Sequence, residues 1–154
     1  MRSRHKKIGA VTVREGLMVE ELHSLINAPR KISSGSQKVH SITNEILTRE
    51  PSPEHVFPKF QAFMNGSVLV AHNARFDMSF LKAEFHRLGL SVADRYRCTN
   101  KLSGKLCPKL THYFLLLACW YKFGALPEGS HLHRSLDDTR LTVLNWIRST
   151  EMAK

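Results

Sequence analysis

The chain is short of acid. Its 154 residues hold 13 Asp plus Glu against 23 Lys plus Arg, a formal net charge of +10. It is also short of cysteine, since Cys98, Cys107 and Cys119 form an odd set with no Cys-x-x-Cys spacing. A disulfide framework is therefore not expected, and a reducing cytoplasm fits this usage. Long apolar runs are missing too. A membrane span needs ~20 apolar residues, and the longest candidate, Tyr113 to Tyr121, falls well short. The basic start, Met1 to Lys7, is not followed by the apolar stretch of a secretory signal. Neither an internal repeat nor a long linker is present. One domain is the expected organisation, since domains run roughly 100–200 residues, and 42% hydrophobic residues suffice for a core.

The positive excess is spread along the chain rather than gathered in a tail. One run, Arg95, Arg97, Lys101, Lys105 and Lys109, has no acid within it. A polyanionic partner is the natural reading, because each phosphate neutralised releases counterions. A plain solvated basic face is the competing one. Charge alone does not separate binding from cutting.

Turn residues and apolar periodicity set out the elements. Ile8 to Val13 has strand composition, Arg14-Glu15-Gly16 is a turn with Gly16 at positive φ, and Leu17 to Ile26 returns as a second strand. Pro29 ends that hairpin, and Lys31 to Ser36 is a polar loop. Thr43 caps a short helix over Asn44 to Leu47. Ser52-Pro53 is a helix start, followed by Val56, Phe57, Phe60 and Phe63 at helical spacing, with Pro58 expected to kink the helix. Asn65-Gly66 stops it. Val68-Leu69-Val70, within Ser67 to Ala71, is a buried-strand run. Arg75 to Leu88 is the clearest helix, with Phe76, Phe80, Leu81, Phe85 and Leu88 as its apolar stripe and Gly89 as its stop. Tyr96 to Thr99 is a further strand, and Leu110 to Phe123 is an apolar helix. The last helix runs from Ser135 to about Met152, with Leu136, Val143, Leu144 and Ile147 on one face. A hairpin followed by strand, helix, strand and helices is an α/β fold with a mixed sheet.

Two stretches carry chemistry. Val70-Ala-His-Asn-Ala-Arg-Phe-Asp77 lies where a buried strand hands over to a helix, and α/β sheets place active sites beyond their strands' C-terminal ends. Asp77 falls in the first turn of that helix. Taken alone it also reads as an ordinary N-terminal acid favoured by the helix dipole. The second stretch is His131-Leu-His-Arg-Ser-Leu-Asp-Asp-Thr139. Here His133 in a loop and Asp138 on the last helix can approach one site, while Asp137, about 100° round the helix, points elsewhere. By itself His-x4-Asp is a weak signal.

Together, in this order and around a Phe/Leu helix and a basic stretch, the two resemble the DnaQ-like 3′–5′ exonucleases, typified by the DNA polymerase III epsilon subunit and known as the DEDDh group. The resemblance runs from about Ile8 to Trp146. Ile8-Gly-Ala-Val matches the family's second-strand pattern. Val39-His-Ser-Ile-Thr43 resembles its His-Gly-Ile-Thr segment, with Ser41 in place of glycine. The resemblance implies a ribonuclease H-like fold and a substrate of single-stranded DNA or RNA 3′ ends, with a DNA polymerase as a candidate partner. It implies Asp77 and Asp138 as ligands of Mg²⁺ or Mn²⁺ and His133 as the base that deprotonates the attacking water. Asn73 and Phe76 match positions that shape the site, and His40 one near the bound nucleotide. The residue types suit that chemistry. Two metal ions roughly 3.5–4 Å apart clamp the attacking and leaving oxygens of a phosphodiester, hard cations want carboxylate oxygen, and a His with pKa near ~6.5 suits a base at neutral pH.

The chain departs from the family at its start. The family has a first, central strand carrying Asp-x-Glu-Thr before the Ile-Gly-Ala-Val segment, whereas Met1 to Lys7 contains no carboxylate. Two of the four expected metal-binding acids are therefore supplied, and metal binding is expected to be weakened. None of Glu15, Glu20, Glu21 or Asp94 lies on a strand beside that of Asp77, so none substitutes. The strands at Ile8 and Val68 are expected to lose a neighbour. Three readings follow: a late start with the missing motif upstream, an inactive remnant, or a nucleic-acid-binding module that has lost cleavage. Zinc has no support, since no paired-Cys or paired-His spacing accompanies His131, His133 and Cys119. Trp120, Tyr121 and Phe123 suit base stacking, but helical spacing beside Leu115 to Leu117 favours core packing.

Overall fold

The computed structural model describes residues 7–27, 33, 42–108 and 135–153. The hairpin opens the fold. Strand β1 (Lys7–Arg14) pairs antiparallel with β2 (Leu17–Leu25), Arg14 facing Leu17 across a two-residue turn. Glu15 at φ 52° and Gly16 at φ 80° both lie in the left-handed region, which the type I′ hairpin turn requires at both central positions. Cross-strand partners share a face. One face carries Ile8, Ala10 and Leu22, all packed on the apolar core. The other carries Lys7, Gly9 and Val11, opposite Leu25, His23 and Glu21.

Three helices and two short strands follow. Helix α1 (Asn44–Thr48) starts as expected, Ile46 N donating to the Thr43 hydroxyl at 3.2 Å. Helix α2 (Pro53–Met64) has Pro at its first position, but the Ser52 side chain does not cap it and instead shares a 3.1 Å hydrogen bond with His55 Nδ1. The helix continues through Pro58 as one element. Strand β3 (Leu69–Ala71) is parallel to β4 (Tyr96–Cys98). Between them runs helix α3 (Ala74–Arg87), followed by Gly89 at φ 67°.

The core lies between α2 and α3. Phe57, Phe60, Met78, Leu81 and Phe85 are buried there together with Ile26 and Val56. Phe57 stands 5.8 Å from Phe85 and Phe60 stands 6.5 Å from it, both edge-on, the geometry aromatic quadrupoles favour. Arg87 ties the two helices at their margin, donating to Glu84 at 3.0 Å and to Glu54 at 3.1 Å. Glu84 is buried, so this guanidinium is its counter-charge. The expected α3 stripe is corrected at one position: Phe76 is 57% exposed, and the buried face is Ala74, Met78, Leu81, Glu84 and Phe85.

Helix α4 (Thr99–Leu106) was not anticipated from the sequence. It packs against α5 (Ser135–Met152), which also packs on β1 and β3. The α5 stripe needs correcting too. Val143 is buried, but so are Leu141, Asn145 and Ser149, whereas Leu136, Leu144 and Ile147 are only partly covered. Buried Thr99 and Ser103 on α4 are equally small and polar. Hydropathy does not mark α4, whose buried side is polar, although it does mark α5. Among the described residues the two strand pairs form separate two-stranded sheets, one antiparallel and one parallel. The architecture is therefore mixed α/β, and at β1 a helix side chain reaches the backbone: the Thr139 hydroxyl donates to the Gly9 carbonyl at 3.1 Å. The predicted helix at Leu110 to Phe123 lies outside the described residues, as does the loop at Lys31 to Ser36 except Ser33.

Candidate active site

The sequence places Asp77 just beyond a strand, and the fold does the same, but β3 is half-buried rather than buried and Val68 before it is exposed. Chain leaves β3 through His72 and Asn73 and enters α3 at once. Asn73 takes φ 68° and ψ 44°, a left-handed conformation that Asn tolerates better than most residues. Its carbonyl accepts from Phe76 N at 2.9 Å. That turn sets Asp77 in the helix's first turn. The acid is partly buried, and burial pushes its pKa from 3.8 up to about 6, only partly opposed by a hydrogen bond from its own backbone. A carboxyl held this far from water is costly to ionise without a nearby cation. Beside it, His72 Nδ1 shares a 2.9 Å hydrogen bond with the buried Thr99 hydroxyl, linking the β3–α3 turn to the start of α4.

Asp138 lies in the first turn of α5, partly buried, and its carbonyl accepts from the Thr142 hydroxyl at 2.9 Å. The two acids thus open two different helices, both packed on β3. Asn73 and Phe76 are exposed at the same turn as Asp77. His133 and His40 lie outside the described residues.

The first turn of α5 docks on the hairpin face opposite the core. Arg140 grips Glu21 with two parallel bonds, Nε at 2.8 Å and Nη2 at 2.7 Å. Thr139 reaches Gly9, and the Asp138 charge acts on the Lys7 ammonium. Burial lowers the Lys7 pKa, and Asp138 opposes that shift without reversing it. Nothing local in the sequence marks Lys7 or Arg140, and Glu21 reads there only as an acid of the hairpin, because only the folding of α5 onto β1 brings the three together.

Among the described residues no group of three or more His, Cys, Asp or Glu is placed to hold a metal ion. Asp77 and Asp138, with a lysine at the latter, do not by themselves make a site for a divalent cation, which calls for more oxygen ligands than two side chains supply. Of the basic run, Lys109 lies outside the described residues, and the other four have a clear disposition. Arg95 and Arg97 are exposed on and before β4, and Lys101 and Lys105 are exposed on α4, opposite its buried Thr99 and Ser103. Among the described residues no helix is long and apolar enough to cross a membrane.

Comparison with known proteins agrees with these features. The family model described as RNase T exonuclease matches residues 2–144. The PolC-type DNA polymerase III of Thermotoga petrophila is 38% identical over 149 residues, 96% of this chain but 11% of the polymerase. That of Thermotoga maritima is 39% identical over the same share of each chain. The chain therefore spans a small part of the relatives it matches. Among solved structures, Exonuclease X in complex with 5′ overhanging duplex DNA superposes with a TM-score of 0.73 at 29% identity, covering 96% of this chain and 83% of that one. The nuclease domain of 3′hExo, a DEDDh family member bound to rAMP, gives 0.73 at 15% identity, covering 98% and 94%, a likeness of fold. Motif order, architecture and these matches agree that the chain belongs to the RNase T exonuclease family, the DnaQ-like group its motifs resemble.

Proposed function

We propose that this chain is a single exonuclease domain acting at the 3′ ends of DNA or RNA, hydrolysing the terminal phosphodiester to release nucleoside 5′-monophosphates. The observation that carries the reading is the pair of acids, Asp77 and Asp138, each in the first turn of a helix that packs on β3. In this reading both face the scissile phosphate, and His133 takes the proton of the attacking water. The phosphorus–O3′ bond then breaks, and the leaving oxygen takes up a proton. Asn73, Phe76 and His40 hold the terminal nucleotide. The exposed Arg95, Arg97, Lys101 and Lys105 carry the phosphate backbone. The polymerase relatives make a DNA polymerase the proposed partner, and proofreading in the cytoplasm the proposed setting. Mg²⁺ or Mn²⁺ is the cofactor the family suggests, although two acids are too few to assign it a site, so no step is routed through it.

A second reading is binding to single strands without cleavage. Lys7 beside Asp138 and the absence of a three-acid cluster among the described residues favour it. One assay separates the two: 3′-labelled single-stranded DNA and RNA incubated with Mg²⁺ or Mn²⁺. Hydrolysis predicts stepwise loss of 3′ nucleotides, abolished in Asp138→Ala and slowed ~10²-fold or more in His133→Ala. Binding alone predicts no product, but metal-independent, salt-sensitive retention of the strand. Neither product nor retention at low salt would sink both readings.

A further inference from the structure

Two consecutive residues in the first turns of α5, Thr139 and Arg140, bond the hairpin. Arg140 bonds Glu21, which stands opposite Val11. Thr139 bonds the Gly9 carbonyl. Asp138 immediately precedes Thr139, Lys7 lies two residues before Gly9, and the Asp138 charge acts on the Lys7 ammonium. Period-two alternation fixes which β1 residues α5 can meet. Ile8 and Ala10 face the core, leaving Lys7, Gly9 and Val11 for the helix. Lys7 is partly buried.

We propose that Lys7 is a built-in cation at Asp138, occupying by charge the place a divalent ion would take, so that divalent metal reaches Asp138 only in competition with it. A unit charge several ångströms from a divalent ion opposes its binding by about tenfold, even in a water-like dielectric. The same position is a place where one substitution changes ligand count and charge together. Lys7→Met removes the competitor, whereas Lys7→Glu also brings a carboxylate to the Asp138 side of the site. This inference rests on the reading of Asp77 and Asp138 as the acids of the site, but not on whether the chain hydrolyses anything.

The test is Mn²⁺ binding to the full chain, followed by calorimetry and by the loss of the free-ion electron paramagnetic resonance signal at fixed pH and salt. Expected are weak binding in the unsubstituted chain, ~10-fold tighter binding in Lys7→Met and ~100-fold in Lys7→Glu. Both gains should vanish when Asp138→Asn is added. Lys7→Arg, which keeps the charge, should leave affinity within about twofold and controls for folding together with circular dichroism. Should Lys7→Met fail to fold, Lys7→Gln takes its place with the same expectation. Affinity unchanged in Lys7→Met or Lys7→Gln, or a gain that survives Asp138→Asn, would overturn the proposal. A chain inactive in every nuclease assay that still showed these gains would lose the hydrolytic reading and keep this one.

Discussion

The α2–α3 half of the molecule is a cluster of large apolar side chains, whereas the seam between β1 and α5 adds directed polar contacts to the buried Leu141 and Val143 of α5. Between α2 and α3, Phe57, Phe60, Met78, Leu81 and Phe85 meet hydrocarbon to hydrocarbon. The first turns of α5 bring to the hairpin a hydroxyl on a carbonyl, a guanidinium on a carboxylate, and an acid whose charge acts on an ammonium. Apolar burial is non-directional and scales with area removed from water. Polar contacts at a wet surface are directional and contribute little net stability. The difference divides the labour: one half carries the fold, and the other sets the position of Asp138. The sharpest way to break the comparison is to truncate a buried ring. Phe57→Ala removes a fully covered side chain that touches both Phe85 and Phe80. It should cost about 3–5 kcal/mol, read as a large drop in the urea midpoint. A loss below ~1 kcal/mol would mean that the aromatic cluster is not the stabilising centre.

The same division explains what could be read from the sequence. The hairpin was legible because Gly16 marks the turn and the strand before it is rich in β-branched residues. The α2 and α3 helices were legible because large apolar residues recur at helical spacing. Asp77 and Asp138 were legible through the short motifs around them. What escaped depends on chain contacts distant in sequence. Thr139 meets Gly9 across 130 positions, so nothing local marks Lys7 as a neighbour of Asp138. Helix α4 escaped because Thr99, Ser103 and Gly104 are weak helix formers and its buried side is polar. Phe76 was misassigned to the core because its spacing suits the stripe, yet it lies on the turn beside Asn73 and faces outward.

Asp77 stands at the start of the well-packed half, and its burial gives the second-largest effect. Its carboxyl titrates at about 6 when folded against 3.8 ordinarily. In the window between those values the folded chain holds the proton that the unfolded chain has released. Stability from this group is therefore greatest below the lower value, falls as pH rises through the window, and stays low above it. At ~1.4 kcal/mol per unit, ionising it costs up to roughly 3 kcal/mol at neutral pH. Asp77→Asn should thus be more stable than the parent at pH 8 by ~1–3 kcal/mol and indistinguishable from it at pH 3.5. Urea titrations of both proteins across that range provide the check. A parent–variant difference that does not change with pH would show that Asp77 is not held away from water.

Glu21 offers the opposite case, and the smallest effect. Its pKa is lowered, chiefly by the hydrogen bonds from Arg140. A depressed carboxylate contributes stability that is present above its unfolded pKa and disappears as pH falls through the folded one. Both partners are substantially exposed, so solvent and salt screen the pair. Arg140→Gln should lower the melting temperature by about 2 °C or less at low salt and neutral pH. That difference should shrink in 1 M salt and shrink as pH falls through and below the ordinary carboxylate range, the reverse of the Asp77 trend. Its structural consequence should exceed its energetic one. The fork is one of the contacts that hold the first turn of α5 on the hairpin, so its loss should speed amide exchange around Asp138 while leaving α2 and α3 protected. Equal loosening of both halves would mean that the seam is not a separate, weaker unit. Unchanged exchange at Asp138 would mean that Thr139 and Lys7 suffice to seat the helix without the fork.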